Sequence, residues 1–178
     1  MTPRLDNSQT VEKLAFETDA GIGYRARIGL LVLQTDQTLE AELAALMAIE
    51  GVALYHARLA NDAVVSPRSL ARMAEELPRA AELIAPSLGL AAIGYACTSG
   101  ATIIGETRVA EILARIHPGV PCTNPLTAAK AALAALGAAR VGLVTRPIPQ
   151  MSPLRCRRTF QRQGLMCPWL GPFMRIMT

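Results

Sequence analysis

A cysteine followed by two hydroxyl side chains stands where a predicted strand ends. The stretch GYACTSGAT, residues 94–102, places Cys97 directly after an apolar run, and Thr98, Ser99 and Gly100 follow it. Backbone N–H groups at the start of a helix can stabilise a thiolate in this position. The hydroxyls and N–H groups can also hold a carboxylate or a developing oxyanion. The alternative is a structural cysteine that packs as a small hydrophobic side chain.

A second polar turn follows another predicted strand, residues 27–33. It holds Thr35, Asp36, Gln37 and Thr38, whose side chains could form hydrogen bonds with a polar ligand. The alternative is that Thr38 caps the next helix and the other residues only turn the chain.

Three further residues receive structural interpretations. We expect Cys122 to be a loop residue ahead of a helix cap, His56 to lie in the core or at the rim of a strand, and His117 to be solvated beside Pro118. The four cysteines lack CxxC spacing, so neither a zinc site nor a disulfide framework is predicted.

The two polar turns belong to an alternating series of elements. Apolar runs and helical spacing predict a parallel sheet flanked by helices, the α/β class. Ligands of such sheets bind beyond the carboxyl ends of the strands, where both turns lie. The predicted strands are 27–33, 52–58, 90–96 and 140–145. The predicted helices are 38–49, 66–85 with a kink at Pro78, a helix that begins between 102 and 106 and ends at 116, and 125–137.

Charge and composition divide the chain into three parts. Residues 1–145 hold 12 Lys and Arg against 14 Asp and Glu, whereas residues 146–178 hold six arginines and no acid. We therefore expect a polar arm at 1–25, an α/β unit at 26–145 and a basic tail at 146–178. No apolar run is long enough for a membrane span, and no signal peptide is evident, so a cytoplasmic protein is expected. No GxGxxG or GxxxxGK[ST] motif follows a strand, which disfavours nucleotide-binding enzymes.

Three segments resemble the aspartate/glutamate racemase superfamily, in its maleate isomerase and arylmalonate decarboxylase branch. They are RIGLLVLQTDQTLEAEL (27–43), IGYACTSGATIIGE (93–106) and TNPLTAAKAALAALGAARVGLVT (123–145). The amino-acid sequences of the first two segments are similar to those of the ectoine-utilisation proteins of this branch. The resemblance covers residues 26–145 and implies the first of two similar α/β halves, with the active site between them.

The resemblance implies roles for both turns. Cys97 matches the first-half cysteine, a nucleophile in the isomerases and a proton-transfer thiol in the racemases. Thr98 and Ser99, followed by Gly100, match the carboxylate-binding segment, and the turn at Thr35 and Asp36 would help to line the substrate pocket. Asp36 stands where maleate isomerases usually have asparagine, and an ionised carboxylate there would repel a dicarboxylate.

The same resemblance implies a small carboxylic acid as substrate and no cofactor or metal. Neither nucleic acid nor a membrane is an expected partner, and a homo-oligomer remains open. A thiol of near-neutral pKa could add to an activated double bond or move a proton beside a carboxylate. Isomerisation, racemisation and decarboxylation all remain open.

The basic tail departs from the family pattern. After Thr145 the family continues with Pro-Tyr and a second half that carries another cysteine. In the reading frame that joins the third base of each codon to the first two bases of the next, residues 146–149 can encode Pro-Tyr-Thr. In the same frame, residues 169–178 can encode Ala-Gly-Ser-Phe-His-Glu-Asp-Asn-Asp. We therefore expect residues 146–178 to be an out-of-frame translation and the chain to be an inactive, truncated form. The alternative function is a non-catalytic binding or regulatory module with a basic tail.

Overall fold

The computed structural model describes residues 15–62, 64, 66–145, 161 and 166–172. Residues 1–14 of the predicted arm and most of the basic tail lie outside the described residues. In chain order the elements are β1 (Ala26–Leu33), α1 (Leu39–Leu46), β2 (Val52–Leu59), α2 (Pro67–Glu82), β3 (Ala92–Tyr95), α3 (Thr98–Ile104), α4 (Glu106–Ile116), β4 (Cys122–Thr123), α5 (Pro125–Ala135), β5 (Arg140–Thr145) and β6 (Met166–Pro172).

Four strands form a parallel sheet in the order β2-β1-β3-β4. Within it, Leu31 of β1 pairs with both Ala57 of β2 and Tyr95 of β3. The predicted α/β class with a parallel sheet and flanking helices is therefore confirmed. Two details were not predicted: the two-residue strand β4 completes this sheet, and β5 pairs with β6 in a separate two-stranded parallel sheet.

The core lies between the sheet and the helices α2, α3 and α4. Helix α2 is amphipathic and buries Leu70, Met73 and Leu77 against the inward face of the sheet. Helix α1, in contrast, buries none of its residues. The predicted start of α2 is confirmed by a capping box, in which the Ser66 and Ser69 side chains each accept a hydrogen bond from the other residue's backbone N–H.

The segment after Cys97 forms two helices where the sequence predicted one. The predicted helix, which begins between 102 and 106 and ends at 116, is confirmed as α4, whereas α3, which begins directly after Cys97 and is separated from α4 at Gly105, was not predicted. Gly105 has a φ of +95°, a conformation that residues with a Cβ rarely adopt, so the chain changes direction there. This break lets Cys97 serve as the N-cap of a short helix of its own.

His117 is buried, so the prediction that it is solvated is wrong. Its side chain is only 2% exposed, and its Nε2 lies 3.0 Å from the carbonyl oxygen of Ala81. The histidine ends α4 at the point where that helix packs against α2, so the ring reaches the carboxyl-terminal turn of α2. His56, by contrast, is exposed on strand β2. No helix of the described ranges is long and apolar enough to cross a membrane.

Candidate functional site

Cys97 lies at the junction of β3 and α3, with its sulfur turned into the first turn of the helix. The Sγ atom accepts a hydrogen bond from the backbone N–H of Gly100 at 3.2 Å. The residue is 7% exposed, so the thiol lies just beneath the surface at the carboxyl end of the sheet. The predicted position of this cysteine at a strand end, ahead of a helix, is confirmed.

Tyr95 brings a second polar group to the same place. Its side chain is fully buried, and its hydroxyl makes no hydrogen bond of good geometry within the described structure. The hydroxyl faces both Cys97 and Gly100: a Cβ on Gly100 would lie 2.0 Å from Tyr95 Oη and 3.1 Å from Cys97 Sγ. The Cys97 thiol and the Tyr95 phenol therefore lie close to each other in the interior. Glycine at position 100 leaves room for both groups because it has no side chain.

Burial decides the protonation state of the thiol. It raises the pKa of Cys97, and this effect outweighs the opposing influence of three nearby donors, the Gly100 N–H, the Tyr95 hydroxyl and the Ser99 N–H. The expected thiol of near-neutral pKa is therefore not present in this state of the molecule. Cys97 rests as a thiol, and a change in its surroundings must favour the thiolate before it can act as a nucleophile.

The residues after Cys97 differ in their accessibility. Thr98 is exposed, Ser99 is half-buried and Gly100 is buried. Ser99 therefore carries the hydroxyl nearest in sequence to Cys97 that is partly protected from water, whereas the Thr98 hydroxyl belongs to an exposed residue.

The turn after β1 is held mainly by its own hydrogen bonds. Asp36 Oδ1 accepts hydrogen bonds from the backbone N–H groups of Thr38 and Leu39, both at 2.9 Å. Thr38 occupies the N-cap position of α1, but its side chain makes no capping hydrogen bond. The suggested cap by Thr38 is therefore wrong, and the aspartate two positions earlier instead accepts hydrogen bonds from the N–H groups of Thr38 and Leu39.

Asp36 is ionised over the ordinary pH range. The hydrogen bonds from the Leu39 and Thr38 N–H groups, assisted by the nearby charge of Arg58, hold the pKa of its carboxyl below the usual value. Arg58 also donates a hydrogen bond to the carbonyl oxygen of Asp36 at 2.9 Å. The negative charge that the sequence places at this turn is therefore present and is directed at the start of α1.

Replacing Asp36 by alanine is expected to destabilise the protein by about 1 kcal/mol, because the N–H groups of Thr38 and Leu39 at the start of α1 lose their partner. Asp36→Asn keeps an oxygen acceptor and is expected to lose less than half of that amount. Urea unfolding followed by circular dichroism measures both. Equal losses in the two variants would contradict the capping role and point to the charge instead.

Asn61, at the end of β2, is a site residue that the sequence analysis missed. Its Nδ2 donates a hydrogen bond to Thr35 Oγ1 at 3.0 Å, and its Oδ1 lies 3.3 Å from the Thr35 backbone nitrogen. Leu33 of β1 pairs with Leu59 of β2, and Thr35 and Asn61 each follow their paired leucine by two residues. A polar residue two positions after a strand was the available signal.

The sheet brings the two predicted turns to one edge. Strands β1 and β3 are parallel neighbours, and the backbone N–H of Ala96 donates a hydrogen bond to the Leu31 carbonyl at 2.9 Å. The chain after β1 and the chain after β3 therefore leave the sheet side by side. Thr35 and Asn61 form one polar group there, and Cys97, Tyr95 and Ser99 form the other.

A third polar group ties α4 to α5 at the end of β4. Glu106 accepts a hydrogen bond from Thr127 Oγ1 at 2.6 Å and forms an ion pair with Lys130. Asn124 caps α5 with its side-chain oxygen and donates a hydrogen bond to Thr127 at 2.9 Å. Burial raises the pKa of Glu106, but the hydrogen bonds from Lys130 and Thr127 outweigh it and hold the pKa below its ordinary value. These contacts position the edge of the site.

No group of three or more His, Cys, Asp or Glu residues in the described part of the chain is placed to hold a metal ion. The chemistry available from the described side chains is that of a thiol, a phenol, hydroxyls and an amide.

Several solved structures share this fold. A maleate isomerase from Pseudomonas putida, solved with maleate, superposes with a TM-score of 0.67 and 24% identity over 84% of this chain and 64% of that one. Nocardia farcinica maleate cis-trans isomerase, solved with a covalently bound succinylcysteine intermediate, has a TM-score of 0.67 and 26% identity over 84% of this chain and 64% of its own. For unliganded arylmalonate decarboxylase the TM-score is 0.63 and the identity 23%, over 83% and 61%.

These similarities define the class of fold. The chain has the α/β fold of the maleate isomerases and arylmalonate decarboxylase, which supports the resemblance to the aspartate/glutamate racemase superfamily. It spans 64% of the length of the two maleate isomerases. No family model matches the chain, and no curated protein matches it.

Proposed function

We propose that the chain carries the Cys97 half of a cofactor-independent enzyme that isomerises, racemises or decarboxylates a small carboxylic acid. The observation that supports this most is the placement of a thiol, a half-buried hydroxyl and the start of a helix at the carboxyl end of the sheet. The similar folds belong to a maleate isomerase and an arylmalonate decarboxylase, whose names describe reactions of small acids.

Cys97 is the reacting group of this proposal. In the Nocardia farcinica enzyme a cysteine is bonded to a succinyl group. By the same chemistry the Cys97 thiol gives its proton to water, and the thiolate forms an S–C bond to one carbon of a double bond conjugated with a carboxylate. The π electron pair moves onto the carboxylate, rotation occurs about the new single bond, and expulsion of the thiolate restores the double bond in the other geometry. No net oxidation occurs, so no redox cofactor is needed.

The residues around Cys97 have supporting roles. Ser99 and Thr98, with backbone N–H groups at the start of α3, bind the substrate carboxylate and stabilise the charge that builds on it. For a racemase or decarboxylase the same set would stabilise an enediolate, and Cys97 would move the proton at the α-carbon.

The turn at Thr35 and Asp36 restricts the substrate. Asp36 is ionised, so a second carboxylate near this turn would be repelled. We propose that the natural substrate presents its carboxylate to Ser99 and a neutral group to Thr35 and Asn61, which disfavours maleate itself. The similarity of segments 27–43 and 93–106 to the ectoine-utilisation proteins suggests that the substrate is a small acid formed during ectoine breakdown.

The complete site needs a second half. We propose that residues 146–178 are read out of frame and that the chain alone is inactive, because the family resemblance implies a site between two similar halves. Sequencing the coding DNA through codon 146 and the following few hundred bases tests this. A missing or extra base followed by an open frame that encodes a second cysteine is expected, and an intact frame ending after Thr178 would contradict it.

Proton NMR in D2O tests the reaction with a panel of small acids. It distinguishes a new double-bond geometry, exchange of the α-proton and loss of CO2 in one experiment. We expect turnover from the protein made in the restored frame and none from its Cys97→Ser variant, with Cys122→Ser as the matched control. Full activity of Cys97→Ser would contradict the proposal.

A further inference from the structure

The Tyr95 hydroxyl is a buried polar group that the described structure leaves without a hydrogen-bond partner. The side chain is 0% exposed, and no acceptor or donor meets the hydroxyl with good geometry. Native proteins leave few such groups unpaired, and those that occur are often linked to function. Tyr55 on strand β2, which β1 separates from β3, is only partly buried, so full burial is not common to both tyrosines of the sheet.

The space around this hydroxyl is built for a close approach to the Cys97 sulfur. Gly100 forms the opposite wall, where a Cβ would lie 2.0 Å from Tyr95 Oη, 2.9 Å from its Cζ and 3.1 Å from Cys97 Sγ. Gly100 also supplies a backbone N–H that donates to this sulfur at 3.2 Å. A sulfur that gains a negative charge accepts hydrogen bonds more strongly, and the phenol is a further donor beside it.

We propose that Tyr95 is a positioning residue whose hydroxyl donates a hydrogen bond to the Cys97 thiolate and is left unpaired while Cys97 is a thiol. This role rests on the proposed function of Cys97 as the reacting group. It explains why a polar hydroxyl is retained in a buried place, and why glycine follows at position 100.

Tyr95 is suited to donate throughout the pH range in which the thiol titrates. Burial, and secondarily the neighbouring Cys97, raise the pKa of the Tyr95 phenol well above its ordinary value. The phenol therefore keeps its proton when Cys97 loses its own. No proton needs to pass between the two groups.

The pH profile of alkylation in Tyr95→Phe tests this inference. The full chain is treated with iodoacetamide at a series of pH values, and modification is read by mass spectrometry on the tryptic peptide 80–108, in which Cys97 is the only cysteine. We expect the midpoint for Cys97 to move upward by about one pH unit, since the thiolate loses a donor. An unchanged midpoint would overturn the inference, because a purely structural tyrosine would alter packing without altering the thiolate.

Two further measurements separate this role from a general effect on folding. Tyr55→Phe makes the same chemical change on strand β2 and is expected to leave the Cys97 midpoint unchanged. Incorporation of fluorotyrosine, a stronger donor that keeps the ring in place, is expected to lower the midpoint, and an upward shift would overturn the inference. These readouts need no turnover, so they can succeed where the proposed reaction fails, and the reverse also holds.

Discussion

Gly100→Ala is expected to lower the free energy of unfolding by about 2 kcal/mol, the usual effect of overfilling a packed core. The new methyl group would lie 2.0 Å from Tyr95 Oη and 2.9 Å from its Cζ. Tyr95 is fully buried, so its ring has no solvent space into which to move. Alanine gains up to about 1 kcal/mol over glycine within a helix, and the clash exceeds that gain. Thermal and urea unfolding measure the difference.

The Tyr95→Phe/Gly100→Ala double variant is the control for this clash. Removing the hydroxyl removes the 2.0 Å contact and leaves the contact with the ring carbon, so the double variant is expected to regain part of the lost stability. If the effects of the two substitutions simply add, the hydroxyl does not meet the position 100 side chain, and the described site geometry is wrong.

Lys130→Met is expected to destabilise the protein by about 2 kcal/mol near neutral pH, because it leaves the Glu106 carboxylate partly buried without its counter-charge. The Lys130 and Glu106 side chains are only 16% and 25% exposed, so water compensates the loss only in part. The pair joins α4 to α5 beside the site, and methionine preserves most of the lysine's apolar volume.

The pH dependence identifies the charge as the cause. The pKa of Glu106 in the folded protein is lowered from its ordinary value of 4.5, so its contribution to stability is present above that pH and is lost as the pH falls through the folded value. The difference between wild type and Lys130→Met should therefore shrink in acid. Lys130→Met/Glu106→Gln, which removes both charges and keeps the Thr127 hydrogen bond, should recover more than half of the loss at neutral pH. A loss that is independent of pH would contradict this account.

The parts of the fold that the sequence predicted are those with local signals. Ser66 followed by Pro67 and Asn124 followed by Pro125 begin helices, and the structure confirms both caps. The apolar strands are also predicted within about two residues, because buried parallel strands read as short apolar runs. Parallel strands end at the same edge of a sheet. The predicted strands were therefore enough to place the Cys97 turn and the Thr35 turn at one edge.

The parts that the sequence did not predict depend on contacts between distant segments. His117 is buried because α4 ends against α2, 36 positions earlier in the chain. The pKa of Cys97 depends on how deeply the thiol is buried, which residue type does not reveal. Tyr95 reads as an ordinary strand residue, and only its position beside Cys97 and Gly100 gives it a possible role.

Competition between iodoacetate and iodoacetamide tests the central claim, that the Cys97 turn binds carboxylates. The tryptic peptides 80–108 and 116–130 each contain one cysteine, Cys97 and Cys122, so one digest gives the carboxymethyl-to-carbamidomethyl ratio at both. A carboxylate held by charge-assisted hydrogen bonds should raise the ratio at Cys97 about tenfold over that at Cys122. Ser99→Ala and denaturation should both reduce this preference. Equal ratios at the two cysteines in the folded protein would contradict a carboxylate site at Cys97.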